Sequence, residues 1–144
     1  MNPKGINNRL TILLAEDDID DQELLNEAFL EANPSIKMII VTSGAKAVAQ
    51  LESLPSEQLP DLIVLDYNMP ELDGAQVLQI LAKNKQYSPI SKVVLSTSHS
   101  PYYKDACLNL GADAYFTKPS SYGEMEALIK EILQLCLAKK GNTL

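Results

Sequence analysis

Four apolar residues in succession, Leu62-Ile63-Val64-Leu65, run without a polar break into a carboxylate, Asp66. A strand with one wet face alternates apolar and polar residues. This one does not, so both of its faces must be covered, as in a parallel sheet sandwiched between helices. Asn68, Pro70, Asp73 and Gly74 follow, and all are turn formers. A helical pattern then begins, with Gly74, Ala75, Val77, Leu78 and Leu81 on one side. Asp66 therefore falls at the carboxyl end of a central strand, where open α/β sheets hold their ligands. A lone aspartate there also reads as the cap of the next turn, and the other strand ends decide between the two.

The pattern repeats along the chain. Leu10–Ala15 is a first buried strand that runs into Glu16-Asp17-Asp18 and Asp20-Asp21. A helix with Leu24, Leu25, Ala28 and Phe29 on one face comes next and breaks at Asn33-Pro34. Acids favour a helix N-terminus, but the run from Glu16 to Asp21 holds more of them than capping requires. Lys37–Val41 is a second strand. Thr42 or Ser43 can cap a helix reaching about Leu54, with Ala45, Val48, Ala49 and Glu52 on one side. Lys92–Ser96 is a fourth strand, followed by Ser100 as an N-cap and Pro101 at the first helical position. That helix carries Tyr103, Ala106, Cys107 and Leu110, and Gly111 suits its C′ position. Ala114–Thr117 is a fifth strand ending at Lys118-Pro119. Ser121 and Glu124 have capping-box spacing ahead of a last helix with Met125, Leu128, Ile129, Ile132 and Cys136 on its buried face. Fivefold strand–helix alternation predicts an α/β, doubly wound, five-stranded parallel sheet flanked by five helices, with right-handed crossovers and the flavodoxin-like strand order 2-1-3-4-5.

The 144 residues suggest one domain over 1–144, with its core at about 10–137 and Met1–Arg9 polar and frayed. A net charge of −7 would repel nucleic-acid phosphates, and no basic patch counters it. No apolar run approaches the roughly 20 residues a bilayer span needs, so no membrane role is expected. Met1–Asn8 lacks the apolar core of a signal peptide, which makes the cytoplasm the expected location. Cys107 and Cys136 sit on apolar helical positions and read as buried free thiols. The single His99 cannot form a metal cluster by itself and reads as loop surface.

In this fold the strand ends share one edge. They bring Glu16 and Asp17, Asp66, Ser96 and Thr97, and Lys118 together. At about 5 Å and an effective dielectric near 20, each like-charge pair among the three carboxylates costs about 3 kcal/mol. A divalent cation removes that penalty, and Mg²⁺ favours one or two carboxylates plus waters and phosphate oxygens. Lys118 adds a positive charge near Asp66, and Ser96 adds a hydroxyl donor. Together these suit a carboxylate that accepts a phosphoryl group, with developing charge neutralised around it.

The segments LLAEDD, PDLIVLDYNMPELDG, VVLSTS and GADAYFTKP resemble the receiver domain of two-component response regulators, over about Leu10 to Leu137. The form it most resembles is the stand-alone, CheY-like receiver, since only Ala138–Leu144 follow the fifth helix. The resemblance implies that Asp66 is the phosphoacceptor. It implies that Asp17 and Asp66 hold Mg²⁺ directly, Glu16 through water and Asn68 through its backbone carbonyl. Lys118 would contact the phosphoryl group, and the Lys118–Pro119 bond would be cis. Ser96 would be the switch hydroxyl, because the spacing to Lys118 fits it rather than Thr97, and Tyr115 would be the switch aromatic. Thr97 stands where a smaller residue is commoner, which would narrow access to the site. Asp18 is an extra acid and reads as a helix cap. The implied donor is a sensor histidine kinase or a phosphotransfer protein. The implied readout is a downstream protein that binds the face formed by the fourth helix, fifth strand and fifth helix.

Three other readings fit parts of this pattern. A phosphatase of the haloacid-dehalogenase type needs a second aspartate two residues after the nucleophile, and Asn68 stands there and cannot transfer a proton. A flavodoxin must cradle phosphate in its first loop, which Glu16-Asp17-Asp18 would repel. The third is a receiver fold used only as an unphosphorylated binding module.

Overall fold

The computed structural model describes residues 9–142. Five parallel strands, β1 (Thr11–Ala15), β2 (Lys37–Val41), β3 (Leu62–Asp66), β4 (Ser91–Ser96) and β5 (Ala114–Thr117), form one sheet in the order β2-β1-β3-β4-β5. Helices α1 (Ile19–Ala32), α2 (Gly44–Glu52), α3 (Gly74–Ala82), α4 (Pro101–Asn109) and α5 (Tyr122–Asn142) connect or follow them. This is the doubly wound architecture that the alternation predicts. The expected frayed segment Met1–Arg9 lies, except for Arg9, outside the described residues.

Period-two alternation within unbroken apolar strands explains how one sheet serves two cores. In β1, Leu13 and Ala15 face one side and Ile12 and Leu14 the other; in β3, Ile63 and Leu65 oppose Leu62 and Val64. The first set packs under α2, α3 and α4 with Leu51, Val77, Leu78 and Leu81. The second packs under α1 and α5 with Leu25, Phe29, Ile129 and Ile132. All five residues of β3 are buried, whereas edge strand β2 is only half covered. Cys107 and Cys136 are buried free thiols. No helix among the described residues is long and apolar enough to cross a membrane.

The caps mostly follow the sequence. Asp18 accepts the Asp21 amide, Ser43 the Lys46 amide and Ser100 the Tyr102 amide. Gly111 closes α4 at φ 107°, a conformation that favours glycine. Asp73 and Gln76 add a reciprocal capping box at α3. Two helical faces are rotated from the expected ones. On α2 the buried residues are Gly44, Ala47 and Leu51, while Ala49 and Glu52 are exposed. The buried stripe thus lies one residue earlier than expected, a turn of about 100°, with Gly44 facing Leu72. On α1, Leu25, Ala28 and Phe29 fill the core, but Leu24 is 47% exposed.

At the opposite edge of the sheet from the carboxylates, near the start of β4, Lys92 is buried, with Nζ donating to the carbonyls of Tyr87 (2.7 Å) and Ile90 (2.9 Å). Burial, helped by the charge of Lys139, lowers its pKa to about 8 against a weaker pull upward from Asp113. The folded chain therefore holds fewer protons than the unfolded one between about pH 8 and 10.5, so this group adds stability as pH rises through that window. Wild type should gain about 1–3 kcal/mol over Lys92→Met in denaturant unfolding between those two pH values. A stability difference that ignores pH would contradict this.

Candidate functional site

Register builds the site. Ala15 pairs with Leu65, so the next residues along, Glu16 and Asp66, emerge side by side. Ser96 pairs with Thr117, which delivers Lys118 to the same edge. Carboxylate oxygens of Glu16, Asp17 and Asp66 lie within 4.8 Å of one another. Lys118 Nζ donates to Glu16 Oε1 at 2.8 Å and to Asp21 Oδ2 at 2.8 Å, and sits 3.4 Å from Asp66 Oδ1.

Electrostatics follow from burial. Glu16 is almost fully covered, and desolvation pushes its pKa up to about 7 although its hydrogen bond with Lys118 opposes this. Desolvation also raises Asp66, against the pull of the Lys118 charge. Burial works against the charge on Lys118 as well. Its bonds to Asp21 and Glu16 more than offset that and hold its pKa above the usual lysine range. Two buried carboxylates held off their ordinary pKa, beside an exposed third, form an oxygen-only group of the kind hard divalent cations favour. That donor set fits Mg²⁺ and gives soft metals no thiolate or imidazole.

The loop from β3 to α3 brings Asn68 beside the acid, and its amide reaches Asp66 Oδ1 at 3.4 Å. Farther along, Glu71 (φ 59°) and Leu72 (φ 129°) adopt left-handed backbone that is costly for residues with a Cβ. Gly44 explains how the loop is held there. The Leu72 carbonyl crosses so close to it that an added Cβ would lie 2.1 Å away. Leu72 itself packs against the core under α2 and α3.

Ser96 is fully buried, and its Oγ accepts the Ser98 amide at 3.0 Å. Tyr115 is buried too, with its hydroxyl donating to the Ser98 carbonyl at 3.2 Å. The two residues thus converge on one loop, β4–α4. Thr97 is exposed at the rim. His99 is exposed and lines a cleft of about 340 Å³ with Phe116, Lys118, Pro119 and Glu124.

Two findings depart from expectation. The Lys118–Pro119 bond is trans, as is every peptide bond among the described residues. The intrinsic trans preference of X–Pro bonds holds here. Asp21, read from sequence as part of a surplus acidic run, is a direct partner of Lys118. The surplus was the only signal, because the contact spans 97 positions. Asp18 is a cap, as its place before α1 implies.

Residues 12–130 match the family model described as the response regulator receiver domain. The response regulator Rcp1 of a Synechocystis strain is 32% identical over 124 residues, covering 84% of each chain. The phosphorylated cyanobacterial phytochrome response regulator RcpA superposes with a TM-score of 0.81 at 30% identity, covering 90% of this chain and 94% of that one. The Mn²⁺-bound form of Rcp1 superposes with a TM-score of 0.75 at 31% identity, covering 85% of this chain and 91% of that one. Other curated relatives are longer, and the chain spans 47%, 36% and 60% of three of them.

Proposed function

The chain belongs to the response regulator receiver family of two-component signalling, and on that premise we propose that Asp66 accepts a phosphoryl group from a phosphohistidine. The observation that carries this reading is the placement of Asp66 at the end of the central strand. It is grouped there with Glu16 and Asp17 and lies 3.4 Å from Lys118 Nζ. Receiver domains interact with histidine kinases and with downstream targets, and the donor here would be a sensor kinase or a phosphotransfer protein.

The chemistry is a single displacement. An Asp66 carboxylate oxygen attacks phosphorus, the new P–O bond forms, and the P–N bond to the donor imidazole breaks. Its electron pair stays on the imidazole nitrogen, which takes up a proton. Asp17 and Asp66 would hold Mg²⁺ directly, with Glu16 acting through water and Asn68 through its carbonyl. Bound Mg²⁺ would supply positive charge against the phosphoryl oxygens. Lys118 would balance charge on another oxygen, and the Ser96 hydroxyl would donate to a third. The chain is then a signalling domain that catalyses chemistry only on itself, and a cytoplasmic one.

The readout is the face of α4, β5 and α5. If the Ser96 hydroxyl turns to the phosphoryl group, the Ser98 amide loses its acceptor, and the loop that also holds Tyr115 is released. A downstream partner must bind the two forms of that face unequally, or phosphorylation shifts nothing.

Incubation with Mg²⁺ and acetyl phosphate should add one phosphoryl group, read by intact mass. EDTA or Asp17→Ala should lower the initial rate by at least about a hundredfold, the scale of losing a main charge-stabilising group. Equal gain with and without chelator would defeat the metal assignment. No gain under any condition would leave only the unphosphorylated binding module.

A further inference from the structure

Lys118 is held by more anionic oxygen than the proposed chemistry requires. Its Nζ is 2.8 Å from Glu16 and 2.8 Å from Asp21, but 3.4 Å from the residue it should serve, Asp66. An ammonium has three donors. Two are committed to short bonds on the α1 side, and the contact to Asp66 is the long one.

Asp21 is built to keep that hold. It sits at the third helical position of α1, where its own amide donates to the Asp18 cap at 2.9 Å, so its backbone is pinned. A carboxylate in the first turn also complements the helix dipole. Unlike Glu16 and Asp66, Asp21 is not part of the carboxylate group that can surround a cation. A bound metal would draw on those carboxylates and leave Asp21 as a competitor for the lysine.

Building on the phosphoacceptor reading above, we infer that Asp21 is a positioning residue that parks Lys118 on the α1 side and competes with the phosphoryl group for it. Lys118 must leave Asp21, or share a donor, before it can balance charge on the reacting group. Asp21 therefore sets how fast the chain is phosphorylated, without touching the reacting atoms.

The test compares initial rates of phosphoryl gain with Mg²⁺ and acetyl phosphate, by intact mass, in four proteins. Asp21→Asn should react faster than wild type by about fivefold, the scale of one partly exposed ion pair converted to a rate. Asp20→Asn makes the same charge change one residue away, so it controls for weaker repulsion of an anionic donor, and it should stay within about twofold of wild type. Asp21→Glu restores the charge and reach, and it should return the rate toward wild type. General damage to the helix would slow the reaction, so a rise separates positioning from structure. A rate for Asp21→Asn that is unchanged, slower, or matched by Asp20→Asn would overturn the proposal while leaving the phosphoacceptor reading intact. No gain in wild type would overturn both.

Discussion

Asp66→Asn should abolish phosphoryl gain while leaving the chain folded. The amide keeps the shape of the side chain but offers no anionic oxygen for attack on phosphorus. Of the other carboxylates near it, Glu16 is committed to Lys118 at 2.8 Å and Asp17 is exposed at the rim, so neither occupies the end of the central strand. Folding should not suffer, and the sign of the electrostatics says why. Burial raises the Asp66 pKa, which means that folding works against its charge at neutral pH. Removing the charge removes that cost, and Lys118 keeps Glu16 and Asp21 as partners. The denaturation midpoint should therefore equal or exceed that of wild type at pH 7. A variant that still takes up a full phosphoryl group would remove Asp66 from its assigned role. A variant that fails to fold would contradict the electrostatic account.

Gly44→Ala should cost stability and weaken the site together. Alanine is the better helix former by about 1 kcal/mol, so propensity alone predicts a gain. The added Cβ, however, would lie 2.1 Å from the Leu72 carbonyl oxygen and 2.9 Å from its carbon, and both are backbone atoms that no rotamer change can move. Either α2 or the β3–α3 loop has to shift, and overpacking of this kind costs about 1–3 kcal/mol or more. The loop is the weaker element, because it already carries left-handed backbone at Glu71 and Leu72. It also carries Asn68, so Mg²⁺ affinity and phosphorylation rate should fall with stability. Gly123→Ala in α5 is the control. Its Cβ would meet nothing within 4 Å, so it should be neutral or stabilising. Equal stability of the two variants would show that the Gly44–Leu72 approach does not constrain the loop.

The features legible in the sequence were those that a short window encodes. Unbroken apolar runs such as Leu62–Leu65 mark strands covered on both faces, and the buried β3 agrees with that. Polar residues placed directly after such runs mark the edge where open parallel sheets hold their ligands, because parallel strands all end there. Glu16, Asp17, Asp66, Ser96 and Lys118 all stand at or just after such runs, and the fold brings Glu16, Asp17, Asp66 and Lys118 within a few ångströms of one another. The buried faces of α3 and α5 were legible too, because large apolar residues mark them: Val77, Leu78 and Leu81 on one, Leu128, Ile129 and Ile132 on the other. The short α2 was not, since an alanine-rich run leaves its phase open and the contact between Gly44 and Leu72 decides it. Contacts over long separations were also hidden. Asp21 looks like one more first-turn acid until the residue after β5, Lys118, is brought to it. Lys92 looks like an ordinary solvated lysine at a strand start, and only the turn from Tyr87 to Ile90 shows that two carbonyls wait for its ammonium.

The most direct test of the central claim is chemical localisation of the phosphoryl group. An aspartyl phosphate is a mixed anhydride, so borohydride reduces it to homoserine, whereas phosphorylated serine, threonine or lysine side chains are not converted. The wild-type chain would be treated with Mg²⁺ and acetyl phosphate, reduced, digested and sequenced by tandem mass spectrometry. The account predicts homoserine at position 66 and at no other aspartate, and none when EDTA is present. Homoserine at Asp17 or Asp18, or a phosphoryl group that survives reduction on another residue, would contradict it.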